Sequence, residues 1–89
     1  MRAPSFFHDN ILTLEMIAAE INECDEETAA YLAGYYAFDA ARDSVGLEGM
    51  SSDDMGGHFE YLIDAGAKFD RSSALVQAEA FKAAAVLDE

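Results

Sequence analysis

Basic side chains are scarce in this sequence: 5 of the 89 residues are Lys or Arg, against 18 Asp and Glu, for a formal charge of −13. Direct binding to nucleic acid or to anionic lipid is thereby disfavoured, since both need a cationic surface. A single cysteine, Cys24, rules out an internal disulfide and a cysteine metal cluster. The only proline, Pro4, lies near the start, so nothing later breaks a helix by proline. No apolar run approaches the ~20 residues of a membrane span. Met1 to Asp9 lacks the apolar centre and small-residue cleavage site of a signal peptide. Sustained period-two alternation is missing as well, which disfavours strands.

What is present is a core. Hydrophobic residues make up 52% of the chain and ten are aromatic (4 Tyr and 6 Phe), and the apolar positions recur with helical period, which disordered acidic chains do not show. A chain of this length holds one domain and buries only about 60–68% of its unfolded surface, so its stability is expected to be modest. The expected organisation is an N-terminal arm over 1–9 and one helical domain over 10–89. The expected compartment is cytoplasmic, that of an infected bacterial host if the origin is viral.

Punctuation predicts an all-α bundle of about four helices, arranged as two helix–turn–helix halves. Asn10 is the expected cap of a first helix with Leu14, Ile17, Ala18, Ile21 and Cys24 on its apolar face. Asp25 caps a second from Glu26 to Val45, stopped by Gly46, with Glu26 and Glu27 at the positive end of its dipole. Leu47 to Ser51 reads as a loop. Ser52, Asp53 and Asp54 start a third helix with Met55, Phe59, Leu62 and Ile63 as its face, ending at Gly66. Gly56-Gly57 costs roughly 1 kcal/mol per glycine relative to alanine, so an irregular start is expected there. Asp70 or Ser72 caps a fourth helix running to about Leu87.

Two helices carry more apolar surface than one face needs. On the second, Tyr31, Tyr35, Phe38 and Val45 lie beside Ala30, Ala33, Gly34, Ala37 and Ala41, a pattern suited to a central helix, while Tyr36 projects beside Asp39 and Asp43. On the fourth, Ala74, Ala78, Phe81 and Ala85 form one stripe and Val76, Ala80, Ala83 and Leu87 another. A surface helix needs only one stripe. Either this helix is sandwiched within the bundle, or its second stripe meets another chain, a homodimer being one form of that.

Catalytic and metal motifs are not apparent. His8 and His58 belong to different segments. Glu60 and Asp64 stand two and six positions from His58, a spacing that does not converge on a metal. Cys24 on an apolar helix face reads as a small hydrophobe. Asp53-Asp54 with Glu48 lacks the ligand spacing of a calcium loop, and Gly56-Gly57 is followed by no phosphate-loop lysine. The expectation is a non-enzymatic protein without cofactor or metal.

The distribution of charge is what remains. Between Arg2 and Lys68 lie fourteen carboxylates and one base, Arg42, so residues 1–67 sum to −12 and the last 22 to −1. Glu20/Glu23, Asp39/Asp43 and Glu60/Asp64, and Glu23/Glu27 if the helix axis persists between the first two helices, are like-charged neighbours at helical spacing, each costing about 0.2–0.5 kcal/mol. Lysines interspersed among them would turn those costs into gains. A merely solubilising surface is one reading; an anionic surface that imitates nucleic-acid backbone and docks on a basic protein is the other. The residues at issue are Glu20, Glu23, Asp25, Glu26, Glu27, Asp39, Asp43, Asp53 and Asp54, with Tyr36, Phe6 and Phe7 as candidate apolar anchors.

In overall character (short, strongly acidic, helical, one cysteine, no catalytic motif) the chain resembles the small phage-encoded anti-CRISPR proteins and other DNA mimics. That resemblance implies an inhibitor occupying a basic groove for DNA or guide RNA in a defence complex and blocking target binding. The alternative is a protein–protein adaptor, antitoxin-like, that uses the apolar face of the fourth helix.

Overall fold

The computed structural model describes residues 4–7 and 12–88. Four helices follow a short 3-10 turn at Ser5–Phe7: α1 (Leu14–Glu23), α2 (Glu26–Val45), α3 (Ser52–Asp64) and α4 (Arg71–Leu87). The all-α bundle expected from the periodicity is the observed architecture. No helix among the described residues is long and apolar enough to cross a membrane.

Each helix starts on a side chain that accepts from its own first turn. Thr13 caps α1, its Oγ1 accepting from the Met16 N–H at 3.2 Å; Asn10, the expected cap, lies outside the described residues. Asp25 caps α2 through the Thr28 N–H at 2.7 Å. Ser51, one residue earlier than Ser52, caps α3. It forms a reciprocal capping box with Asp54, whose carboxylate accepts from the Ser51 N–H at 2.9 Å. That box satisfies two otherwise orphaned donors, so α3 starts regularly despite Gly56-Gly57. Asp70, not Ser72, caps α4, accepting from the Ser73 N–H at 3.1 Å and from the Ser73 hydroxyl at 2.6 Å. Gly46 follows α2 at φ +83°, a conformation that side chains with a Cβ rarely adopt, and this is where the helix stops.

Contacts advance together along α2 and α4, so the two run parallel. Glu27 and Ala30 lie near Asp70 and Ser73, Gly34 lies against Ala74 and Gln77, and Phe38 stacks on Phe81. α3 runs against α4: Ser52 donates to Glu79 at one end and Arg71 pairs with Glu60 at the other. α2 and α3 each touch all three other helices, while α1 and α4 lie on opposite flanks. The Asn22 side chain holds the α3–α4 connection to α1. Its amide donates to the Gly66 carbonyl at 2.9 Å and its oxygen accepts from the Lys68 N–H at 2.8 Å.

The core is small residues backed by aromatics. Ala33, Ala37, Ala41, Ala74 and Ala78 are fully buried, and Phe59, Ile21, Met55 and Leu62 are its largest enclosed side chains. Phe81 sits among Tyr31, Tyr35 and Phe38 at ring separations of 5.1, 5.1 and 5.9 Å. The loop residue Met50 is also buried, and its carbonyl accepts from Lys82 Nζ at 2.7 Å. Two placements depart from the periodicity, and one open alternative is decided. Val45 and Ile63 lie on the expected faces yet are 46% and 38% exposed, Val45 because it is the last residue of α2 and Ile63 because it sits on the edge of its stripe. On α4 the Ala74/Ala78/Phe81 stripe is buried, whereas Val76 is 64% and Leu87 86% exposed. The helix is therefore not sandwiched.

Gly34 sets the α2–α4 separation. A Cβ there would lie 2.6 Å from Gln77 Cβ, 2.7 Å from the Ala74 carbonyl oxygen and 2.9 Å from the Ala78 nitrogen. Two of those atoms are backbone and cannot swing away. At Gly56 and Gly57 an added Cβ meets nothing within 4 Å. Gly34→Ala is therefore expected to destabilise by about 1–3 kcal/mol through overpacking despite its helix-propensity gain. Gly56→Ala and Gly57→Ala should each stabilise by up to about 1 kcal/mol. Thermal melts of the three variants check this opposition of sign.

Candidate functional site

The nine acidic residues singled out from the sequence fall into three groups. α1 ends where α2 begins, and α2 and α4 begin side by side. Glu20, Glu23, Asp25, Glu26 and Glu27 are therefore gathered at one end of the bundle. Asp70 joins them. With Glu26, Glu27, Ala30, Ser73 and Gln77 it lines an open groove of about 360 Å³ between the two helix starts. Asp70 was not among the expected site residues: in the sequence it is 43 positions from Glu27, and only the parallel run of α2 and α4 brings the two together.

The second group lies along α2. Asp39 and Asp43 border a groove of about 380 Å³ whose walls include Phe7, Leu14, Ile17 and Tyr36. Asp39 also pairs with Arg42 at 2.6 Å. The Arg42 guanidinium lies 4.9 Å from the centre of the Phe38 ring. Tyr36 is half-buried, its ring 6.4 Å from that of His58, which in turn lies 5.9 Å from Tyr61. Burial, and to a lesser degree Tyr61, raises the Tyr36 phenol above its ordinary value. Phe6 and Phe7 are half-buried and pack on the core, Phe7 at 5.0 Å from Tyr35. Of the three candidate anchors, Tyr36 and Phe7 line the same groove as Asp39 and Asp43.

Asp53 and Asp54 form the third group, at the opposite end of the bundle, because α3 runs against α2 and α4. Asp54 is occupied in the capping box with Ser51. The structure therefore assembles five of the nine with Asp70, pairs two with aromatic groove residues, and sets two apart.

Electrostatics differ among these groups. The Thr28 N–H, and then the Thr28 side chain, hold the Asp25 carboxyl below the usual aspartate value. The Ser73 hydroxyl, followed by backbone N–H groups, does the same for Asp70. Both carboxylates also sit at positive helix ends, where anions are favoured. Cys24 shows the reverse. Burial first, then the carboxylates of Glu20, Asp25 and Glu23, push its thiol above the ordinary value, and its Sγ donates to the Glu20 carbonyl at 3.1 Å. A thiol surrounded in this way is a poor nucleophile at neutral pH. His8, the other residue considered for chemistry, lies outside the described residues. Among the described residues no three His, Cys, Asp or Glu side chains converge on a metal-sized site.

No protein-family model matches this chain, and no curated protein matches it. Its function must be argued from the geometry of its surface.

The depressed carboxyls give a pH dependence of definite sign. A carboxyl lowered in the folded state contributes stability above its unfolded value, near 3.9, and that contribution is lost as pH falls through the folded value. Asp25→Asn/Asp70→Asn keeps a capping oxygen at both sites while removing the titration. Its urea stability is expected to fall less steeply than that of the parent as pH is lowered below about 4.

Proposed function

We propose that this chain is a non-enzymatic inhibitor that docks its acidic bundle end onto the lysine- and arginine-lined nucleic-acid site of another protein. It acts there by occupying the path of the phosphate backbone. The supporting observation is the crowding of Glu23, Asp25, Glu26, Glu27 and Asp70, all exposed, onto the ends of packed helices. Among the described residues, the ion pairs are Arg42 with Asp39, farther along α2, and Arg71 with Glu60; Arg71 follows Asp70 at the start of α4, and its guanidinium is engaged by Glu60. Lys68 lies beside Glu26 in a neighbouring groove.

Rigidity matters as much as charge. A flexible acidic tail would lose conformational freedom on docking, whereas carboxylates on helix starts are already spaced. Opposed charge also steers encounter, raising association rates at low salt. The resemblance to small phage anti-CRISPR proteins and other DNA mimics suggests the target class: a defence complex that must hold DNA or guide RNA, in an infected bacterial cell. The groove holding Tyr36, Asp39 and Asp43 offers a second contact of mixed character, and apolar anchors commonly carry the specificity that charge alone does not.

Charge reversal tests the reading. Glu23→Lys/Glu26→Lys/Glu27→Lys is expected to reduce inhibition of DNA binding by a purified CRISPR effector at least tenfold, with the helical circular dichroism retained. The parent complex should weaken markedly between ~0.1 M and ~0.5 M salt, as screening shortens from about 10 Å toward the 3 Å reached at 1 M. Full inhibition by the triple variant, or a complex indifferent to salt, would overturn the mimicry reading in favour of an apolar contact.

A further inference from the structure

The outward face of α4 is unlike the rest of the surface. At 100° per residue, Val76, Ala80, Ala83 and Leu87 fall within about 60° of arc, opposite the buried Ala74/Ala78/Phe81 stripe. Ser72 and Ser73 extend the sector to about 100°, and it holds no charged side chain over the whole 17-residue helix. Glu79 borders it and is engaged by the Ser52 hydroxyl. Val76 is 64% and Leu87 86% exposed. Their stripe runs into a groove of about 510 Å³ between α3 and α4, where Met55, Ala83, Val86 and Leu87 meet with Ser52, Glu79 and Lys82 at its edge. Contiguous exposed apolar surface of this kind marks an interaction site more often than isolated exposed residues do.

Charge and spacing together select the occupant. The acidic faces repel any other anionic molecule, including another copy of this chain, and attract basic ones. The uncharged sector does neither, so it is where two chains of charge −13 approach with least repulsion. The stripe is also a palindrome. Positions 76, 80, 83 and 87 are symmetric about a point between Phe81 and Lys82, with alanines at the centre and larger residues at the ends. A two-fold axis through that point sets Val76 against Leu87 of a second copy and Ala80 against Ala83, which is the self-complementarity an isologous contact requires. The alanines permit an interaxial distance near the ~8 Å lower limit, while Val76 and Leu87 fill the gaps on either side.

We infer that the outward face of α4 is a homodimer interface in which two copies pair antiparallel through Val76, Ala80, Ala83 and Leu87. The helix is about 25 Å long, and one helix width is about 10 Å. The footprint is smaller than the ~800 Å² per partner of a standard interface, so the dimer is weak and reversible. It uses none of Glu23, Glu26 and Glu27, so it does not depend on the inhibitory reading and is tested apart from it.

Sedimentation equilibrium of the full chain from ~1 µM to ~500 µM is expected to show a monomer–dimer equilibrium that tightens several-fold between ~0.1 M and ~1 M salt, as screening removes the repulsion between copies. A basic partner's complex would respond with the opposite sign. Val76→Glu/Ala83→Glu, both at exposed positions, should be monomeric throughout with an unchanged melting curve. Register is read by cross-linking in a Cys24→Ser background. Two Ala83→Cys sites would lie about 5 Å apart along the axis and join through a short bis-maleimide, whereas two Val76→Cys sites, about 16 Å apart, would not. A strict monomer at all concentrations and salts, a dimer indifferent to the two glutamates, or preferential cross-linking at position 76 would each overturn the proposal.

Discussion

The close approach of α2 to α4 at Gly34 is the constraint on which the rest of the bundle depends. With Ala74 and Ala78 opposite and no Cβ at Gly34, the backbones meet where almost any other residue would force them apart. That contact lets Phe81 lie among Tyr31, Tyr35 and Phe38, since the aromatic rings fill the space that opens as the two helices move past the glycine. It also sets both helix starts at the same level. The acidic end of the molecule follows from that packing decision as much as from the number of carboxylates.

Many of those carboxylates have work inside their own chain. Asp25, Asp54 and Asp70 each cap a helix or close a capping box, and the low titration of Asp25 and Asp70 records hydrogen bonds rather than a functional perturbation. Asp39 and Glu60 have arginine partners, and Glu79 accepts from Ser52. Glu23, Glu26 and Glu27 are different: they are exposed at the junction where α1 ends and α2 begins, and hold no lysine or arginine among the described ion pairs. The argument for a basic partner therefore rests on these three with Asp25 and Asp70 beside them, not on the overall charge.

Legibility followed the range of the interactions. Helix limits at Asp25, Gly46 and Asp70 were readable because a cap and a terminator act within four residues. The start of α3 at Ser52 was readable too, while the capping role of Ser51 just before it shows only in the reciprocal bond with Asp54. An irregular turn at Gly56-Gly57 did not follow, since the capping box supplies what the glycines lack. Met50, in a segment that reads as a loop, is core, and Lys82 reaches its carbonyl across 32 positions, a contact no local pattern announces. Asp70 as a companion of Glu26 and Glu27 was invisible for the same reason.

By itself the sequence determined an all-α chain, the larger part of the buried stripes of its helices, and the exclusion of bases from its first two-thirds. Periodicity, capping and charge are properties of neighbours along the chain. Only the tertiary structure decided that α2 and α4 run parallel, that the nine acids separate into three groups, and that the second stripe of α4 faces outward. Those outcomes depend on which surfaces fit at close range. A single missing methyl at Gly34, placed against the backbone of α4, set that fit.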